Sequence, residues 1–168
     1  MMNGESDNQF FYGKYQGVVT DNQDPEKRGR IKAKVPDIFG DDESGWALPC
    51  APFSGYCALP KVGAGVWIEF VGGDPDYPIW SGCWWGSQAD RPSVLLPAPE
   101  KKVVLETEGG NRITFDDSPG SGGITLETSG GQKIKLTSQS IEIDNGNGAT
   151  VKLSGPSVKI NDQALEVT

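Results

Sequence analysis

From Val103 to the end of the chain, apolar and polar residues alternate in runs of four or five, and Gly, Asn or Ser interrupts the runs at regular intervals. Period-two alternation predicts short strands with one apolar face, and the interrupting residues predict reversals between them. The pattern also repeats. Ile124–Ser140 (ITLETSGGQKIKLTSQS) superimposes on Ile141–Ser157 (IEIDNGNGATVKLSGPS), which aligns Ile124 with Ile141, Leu126 with Ile143, Gly131 with Gly148, Ile134 with Val151 and Leu136 with Leu153. A third copy begins at Val158 and Ile160. A looser one begins at Val103, where Leu105–Asn111 (LETEGGN) echoes Leu126–Gln132 (LETSGGQ), with four extra residues around Asp116–Gly123.

Each predicted strand offers only two or three apolar side chains on one face, so the segment closes no core by itself. Three copies wound round a common axis would bury that face and pair, between chains, the strand edges that would otherwise be exposed. A meander on a single chain is the alternative. The residues expected to line the axis are Val104, Ile113, Ile124, Leu126, Ile134, Leu136, Ile141, Ile143, Val151, Leu153, Val158 and Ile160. The polar alternates Lys133, Lys135, Glu142 and Lys152 are expected to face solvent.

The first half follows a different rhythm. Tyr15, Gly17 and Val19 alternate with polar neighbours up to the turn-rich Asp21–Gly29, and Ile31, Ala33 and Val35 alternate with Lys32 and Lys34 until Pro36 stops the strand. Trp46–Ala51, Val66–Val71 and Tyr77–Trp85 read as further strands, the last two joined by the turn Gly72–Asp76. Five short strands without a convincing helix suggest a small barrel of the oligonucleotide/oligosaccharide-binding (OB) type. The expected fold class is therefore all-β, an OB-fold-like barrel followed by an intertwined triple-stranded β-helix. The expected divisions are a tail at 1–12, a barrel at 13–90, a linker at 91–102 and needle repeats at 103–168.

Composition sharpens this division. Every aromatic residue except Phe115 lies at or before Trp85. The formal charge of −8 falls mostly on residues 1–100, with 14 acids and 8 bases. An acidic surface argues against a nucleic-acid partner, which needs a basic stripe. Cys50, Cys57 and Cys83 are odd in number, lack zinc-knuckle spacing and have no His beside them, since the chain contains none. They read as buried free thiols of a chain made in a reducing cytosol, and no metal or cofactor is expected. Residues 1–11 (MMNGESDNQFF) do not resemble a signal peptide.

The run Gly17–Val18–Val19, Asp24–Pro25, Gly29–Arg30–Ile31 and Val35–Pro36 resembles the opening of the barrel domain in phage baseplate assembly protein V, phage central spikes and the VgrG spikes of type VI secretion. Pro60–Lys61–Val62–Gly63, Val66, Phe70, Gly73–Asp74–Pro75, Pro78 and Gly82 resemble its second half. The resemblance implies a homotrimeric, membrane-piercing spike of a contractile phage tail or injection system. Such a spike assembles into the baseplate or particle, docks on a hub and touches the target cell envelope transiently. Some relatives carry a hub domain before the barrel or a muramidase after it; neither fits here, so the hub is expected to be a separate polypeptide. Some relatives end in a His-bound iron tip. Without His, and with a plain final strand Ala164–Thr168, a blunt end capped by a PAAR-type tip protein is expected.

Two rival classes remain. An enzyme could have neither a Ser–His–Asp triad nor a Cys–His dyad, although paired carboxylates suffice for glycan cleavage. Asp74 and Asp76 read as turn residues, and Glu69 as an outward side chain of an aromatic strand. An OB-fold module binding carbohydrate or single-stranded nucleic acid could stack its ligand on Trp67, Trp80, Trp84 and Trp85, but packing explains such residues more simply.

Overall fold

The computed structural model describes residues 9–92 and 101–161, together with the backbone of 165–167. Residues 1–8 of the expected tail, 93–100 of the expected linker, and Ala164 and Thr168 lie outside the described residues. The chain divides into two compact units, 1–88 and 89–168.

In the first unit, strands β1 (Tyr15–Asp21), β2 (Lys32–Lys34), β3 (Leu48–Pro49), β4 (Gly65–Phe70) and β5 (Pro78–Trp84) form one sheet in the order β2-β1-β4-β5-β3. β3 joins β5 in parallel; the other pairs are antiparallel. The predicted alternation holds: Gly17 and Val19 of β1, then Ile31, Ala33 and Val35, then Val66, Ile68 and Phe70 of β4 are all buried. Ala47 completes this core, and Phe11, Tyr15, Phe39 and Trp80 pack against it. Phe11 belongs to the stretch read as tail, yet its N–H donates to Gly73 O at 2.7 Å.

Pro36 stops β2 as expected and also starts α1 (Pro36–Phe39), a single turn. Its fixed φ and missing N–H suit a first helical position. The third strand is shorter than Trp46–Ala51. Ala47 exchanges hydrogen bonds with Ile31 across an isolated bridge, and only Leu48 and Pro49 ladder onto β5, where Pro49 is tolerated because β3 is an edge strand.

The second unit is one eight-stranded antiparallel meander: β6 (Lys102–Glu106), β7 (Arg112–Asp116), β8 (Gly123–Glu127), β9 (Lys133–Leu136), β10 (Ile141–Asp144), β11 (Thr150–Ser154), β12 (Ser157–Ile160) and β13 (Leu165–Val167). Each sequence repeat is one hairpin, with Ile124–Ser140 forming β8–β9 and Ile141–Ser157 forming β10–β11 and the turn after it. The aligned Gly131 and Gly148 share φ values of +88° and +92°, a region costly for any residue with a Cβ. The four extra residues of the loose copy fall in the loop between β7 and β8. Strand-to-strand hydrogen bonding runs within the chain from β6 to β13.

Candidate functional site

The antiparallel register sorts the side chains of the meander into two faces. One column runs Val103, Phe115, Ile124, Leu136, Ile141, Leu153 and Val158; a parallel column runs Leu105, Ile113, Leu126, Ile134, Ile143, Val151 and Ile160. These columns include every residue expected on the axis except one. Val104 stands opposite Thr114, which stands opposite Thr125, so it lies on the other face. Val103, Leu105 and Phe115, which the sequence reading left out, complete the columns. Two adjacent valines cannot be phased by alternation alone; the pairing of Leu105 with Ile113 and of Val103 with Phe115 phases them.

Among the described residues, most side chains of these columns are exposed. Ile141 is 42% exposed and Ile143 46%, whereas Ile68 in the barrel is 0%. Fully burying such a side chain is worth about 1.5–3 kcal/mol, so covering the remaining two-fifths contributes on the order of 1 kcal/mol per residue. Over fourteen positions this is comparable with the upper part of the range for the cost of association.

The opposite face is polar and charged. Arg112 donates to Glu127 at 2.7 Å, and its guanidinium also lies 3.9 Å from Glu106. Lys102 pairs with Asp116 at 3.7 Å, Lys133 with Glu127 at 3.9 Å and Lys152 with Glu142 at 2.6 Å. Hydrogen bonding to Lys152 and Ser140 lowers the Glu142 pKa, and bonds from Ser118 lower that of Asp116. Lys133, Lys135, Glu142 and Lys152 are therefore on the face opposite the apolar columns, only half-buried by one another.

In the barrel the nominated motif positions are structural. Gly17 faces Ile68, Val35 and Ala33, where a Cβ would lie 3.1 Å from Ile68 Cγ1. Gly29 O accepts the Trp80 indole N–H at 3.1 Å. Arg30 grips Asp24 through Nη2 at 2.7 Å and Nε at 3.1 Å, and the same carboxylate accepts N–H groups of Glu26, Arg28 and Arg30. The Arg30 hydrogen bonds hold the Asp24 carboxyl far below the usual carboxylate range. Gly63 donates to Val19 O at 2.9 Å, and Pro78 opens β5 opposite Phe70. Gly82, with φ +138°, sits where the β4–β5 register shifts.

The acids considered for catalysis are engaged locally. Asp74 accepts the Asp76 N–H at 3.0 Å, its own N–H donates to Val71 O, and Pro75 lies inside that turn. Glu69 pairs with Lys14. The Trp84 indole N–H donates to Val66 O at 3.1 Å, and its ring covers Gly65. Lys32 and Lys34 form no free basic patch, being paired with Glu43 and Asp41. The thiols correct the sequence reading: Cys50, Cys57 and Cys83 are all exposed. Cys50 and Cys57 lie after β3, where period-two alternation gives out, and Cys83 takes an outward position on β5. Burial of part of its surroundings still pushes the Cys83 thiol pKa up.

Two family profiles match in tandem, "Type VI secretion system/phage-baseplate injector OB domain" over residues 15–85 and "Phage baseplate V C-terminal trimerisation domain" over residues 102–166. The chain belongs to the phage baseplate V family. The second match coincides with the meander and its uncovered apolar columns. Relatives include the actin cross-linking toxin VgrG1 of Vibrio cholerae, 33% identical over 117 residues, or 60% of this chain and 10% of that protein. The type VI secretion system spike protein VgrG3 of Vibrio cholerae is 39% identical over 111 residues, 58% of this chain and 11% of its own length. The spike protein VgrG5 of Pseudomonas aeruginosa is 34% identical over 106 residues, 58% of this chain and 12% of its own. The chain thus spans about a tenth of the length of these relatives. Among the described residues, no helix is long and apolar enough to cross a membrane.

Proposed function

We propose that three copies of this chain form the non-enzymatic central spike of a contractile phage tail or a type VI-like injection machine. The observation that carries this reading is the uncovered pair of apolar columns inside the segment matched by the trimerisation domain. Three such sheets turn their columns to a common axis and present their charged faces outward. Intertwining, in this reading, is a property of the three chains together, since the hydrogen-bond ladder itself stays within each chain. Chains packed this way separate only by exposing the whole axis at once, which gives the kinetic stability a puncturing device needs.

The spike docks on a separate hub, contacts the target envelope transiently and carries a PAAR-type tip protein at its far end. The relatives named as spike proteins and the place of β13 as a terminal strand of the meander support this arrangement. An aromatic ligand platform on the barrel is disfavoured by the engagement of the Trp80 and Trp84 indoles with backbone carbonyls. Light scattering tests the reading. A native mass near three times 18.0 kDa, falling to 18.0 kDa in Ile141→Asp, is expected. A monomeric wild-type chain would refute it.

A further inference from the structure

Between Glu43 and Lys61 the chain carries no charged residue, although 23% of all its residues are charged. The loop inside this stretch is anchored at both ends. The Cys50 N–H donates to Trp80 O at 2.9 Å, and buried Pro60 offers its carbonyl to Asn22 at 3.1 Å. Between these anchors every residue from 51 to 59 is exposed. The loop nevertheless has order of its own: the Tyr56 N–H closes a turn onto Phe53 O, and the two rings meet edge to face with centroids 5.8 Å apart. Phe53 is 64% exposed, and Tyr56 and Leu59 are each 41% exposed.

Resting on the trimer reading, we infer that this uncharged loop is a second interface, through which the barrel of each copy packs against the barrel of a neighbouring copy. Interface centres are depleted in charge and enriched in aromatic residues, and the loop has both properties. A sugar or nucleic acid is a poorer occupant, because the loop places no charged side chain, and few polar ones, where such a ligand would need them. A second copy suits it on two further grounds. Residues 1–100 carry 14 acids against 8 bases, so like-charged barrels come together most readily at a surface without charge. The trimerisation domain also tethers the barrels in one particle, at effective concentrations of order millimolar, so a patch this small suffices.

Cys57 lies within the loop and serves as the probe. Full-length protein is treated with a maleimide, and modification of Cys57 is followed by peptide mass spectrometry while native mass is recorded on the same sample. The reference is the same chain unfolded in guanidinium. Cys57 in the trimer should react at least ~10-fold more slowly than in the reference, and Phe53→Glu should restore its reactivity while the trimer mass persists. Full reactivity in a sample of trimer mass overturns the inference, including the case where a different polypeptide covers the loop. Protection that survives Phe53→Glu overturns it too, since the cover would not depend on apolar packing. A monomeric mass fails the trimer reading itself, and so is distinguishable from a failure of this contact.

Discussion

The barrel and the meander are built from the same period-two alternation and use it in opposite ways. In the barrel, Val19, Ile31, Val35, Val66 and Ile68 close on one another across a curled sheet, and the chain buries its own apolar face. In the meander, fourteen apolar side chains lie in two columns, and most of them are exposed among the described residues. Connections explain the difference. The barrel's long excursions between β2 and β3, and between β3 and β4, let β1 pair with β4 and β3 with β5. Every strand of the meander pairs with its sequence neighbour, so the sheet extends without turning back on itself. A sheet of the second kind leaves its apolar face for another layer to cover.

The two regions can be interrogated separately, because all five Trp residues lie in the barrel unit and Trp fluorescence follows it alone. The largest effect is expected at Ile141→Asp, which places three carboxylates on the proposed axis. Desolvating them should abolish the trimer while the barrel's Trp emission stays native. Val103→Asp should also disrupt assembly, whereas Val104→Thr, on the charged face, should leave the mass unchanged; equal behaviour of the two would break the register. In the barrel, Ile68→Ala should cost about 2–5 kcal/mol, read as a shift of the Trp unfolding midpoint that does not depend on protein concentration.

Next comes Asp24→Asn, which removes the carboxylate gripped by Arg30 and should lower the barrel midpoint. Its pH dependence has a definite sign. The Asp24 pKa is depressed in the folded state, so its contribution is fully present above the unfolded value of about 3.9 and is lost as pH falls from there through the folded value. The gap between wild type and Asp24→Asn should therefore be constant from pH 7 to about 5 and narrow only below about 4. The smallest effect is expected at Lys152→Ala. It removes a half-exposed cross-strand pair worth about 0.5 kcal/mol or less, and high salt should erase that difference.

Much of this was legible in the sequence, and the gaps have physical causes. The hairpins were readable because a one-residue slip would turn every side chain to the wrong face, so the alternation has to be strict. Gly131 and Gly148 marked the turns because their backbone conformation disfavours any other residue. The Val104 assignment failed where two valines are adjacent and only the facing strand sets the phase. The exposure of Cys50 and Cys57 was hidden because WALPCAPF alternates with neither period, and the exposed loop there is held by hydrogen bonds to Trp80 and Asn22, residues far away in sequence. The need for a cover over the apolar columns was legible only indirectly, in how few apolar side chains each strand carries for a core of its own.

The one-repeat, one-hairpin correspondence makes the meander a ruler. Strands in a sheet lie about 4.8 Å apart, so a 17-residue unit such as Ile124–Ser140 adds roughly 10 Å of length. Because each unit contributes two strands, inserting or deleting one returns the chain to the same edge, travelling in the same direction and with the same face turned inward. Reach can thus change by whole units without any other residue having to change, whereas a lone strand gained or lost would send the rest of the chain back the way it came.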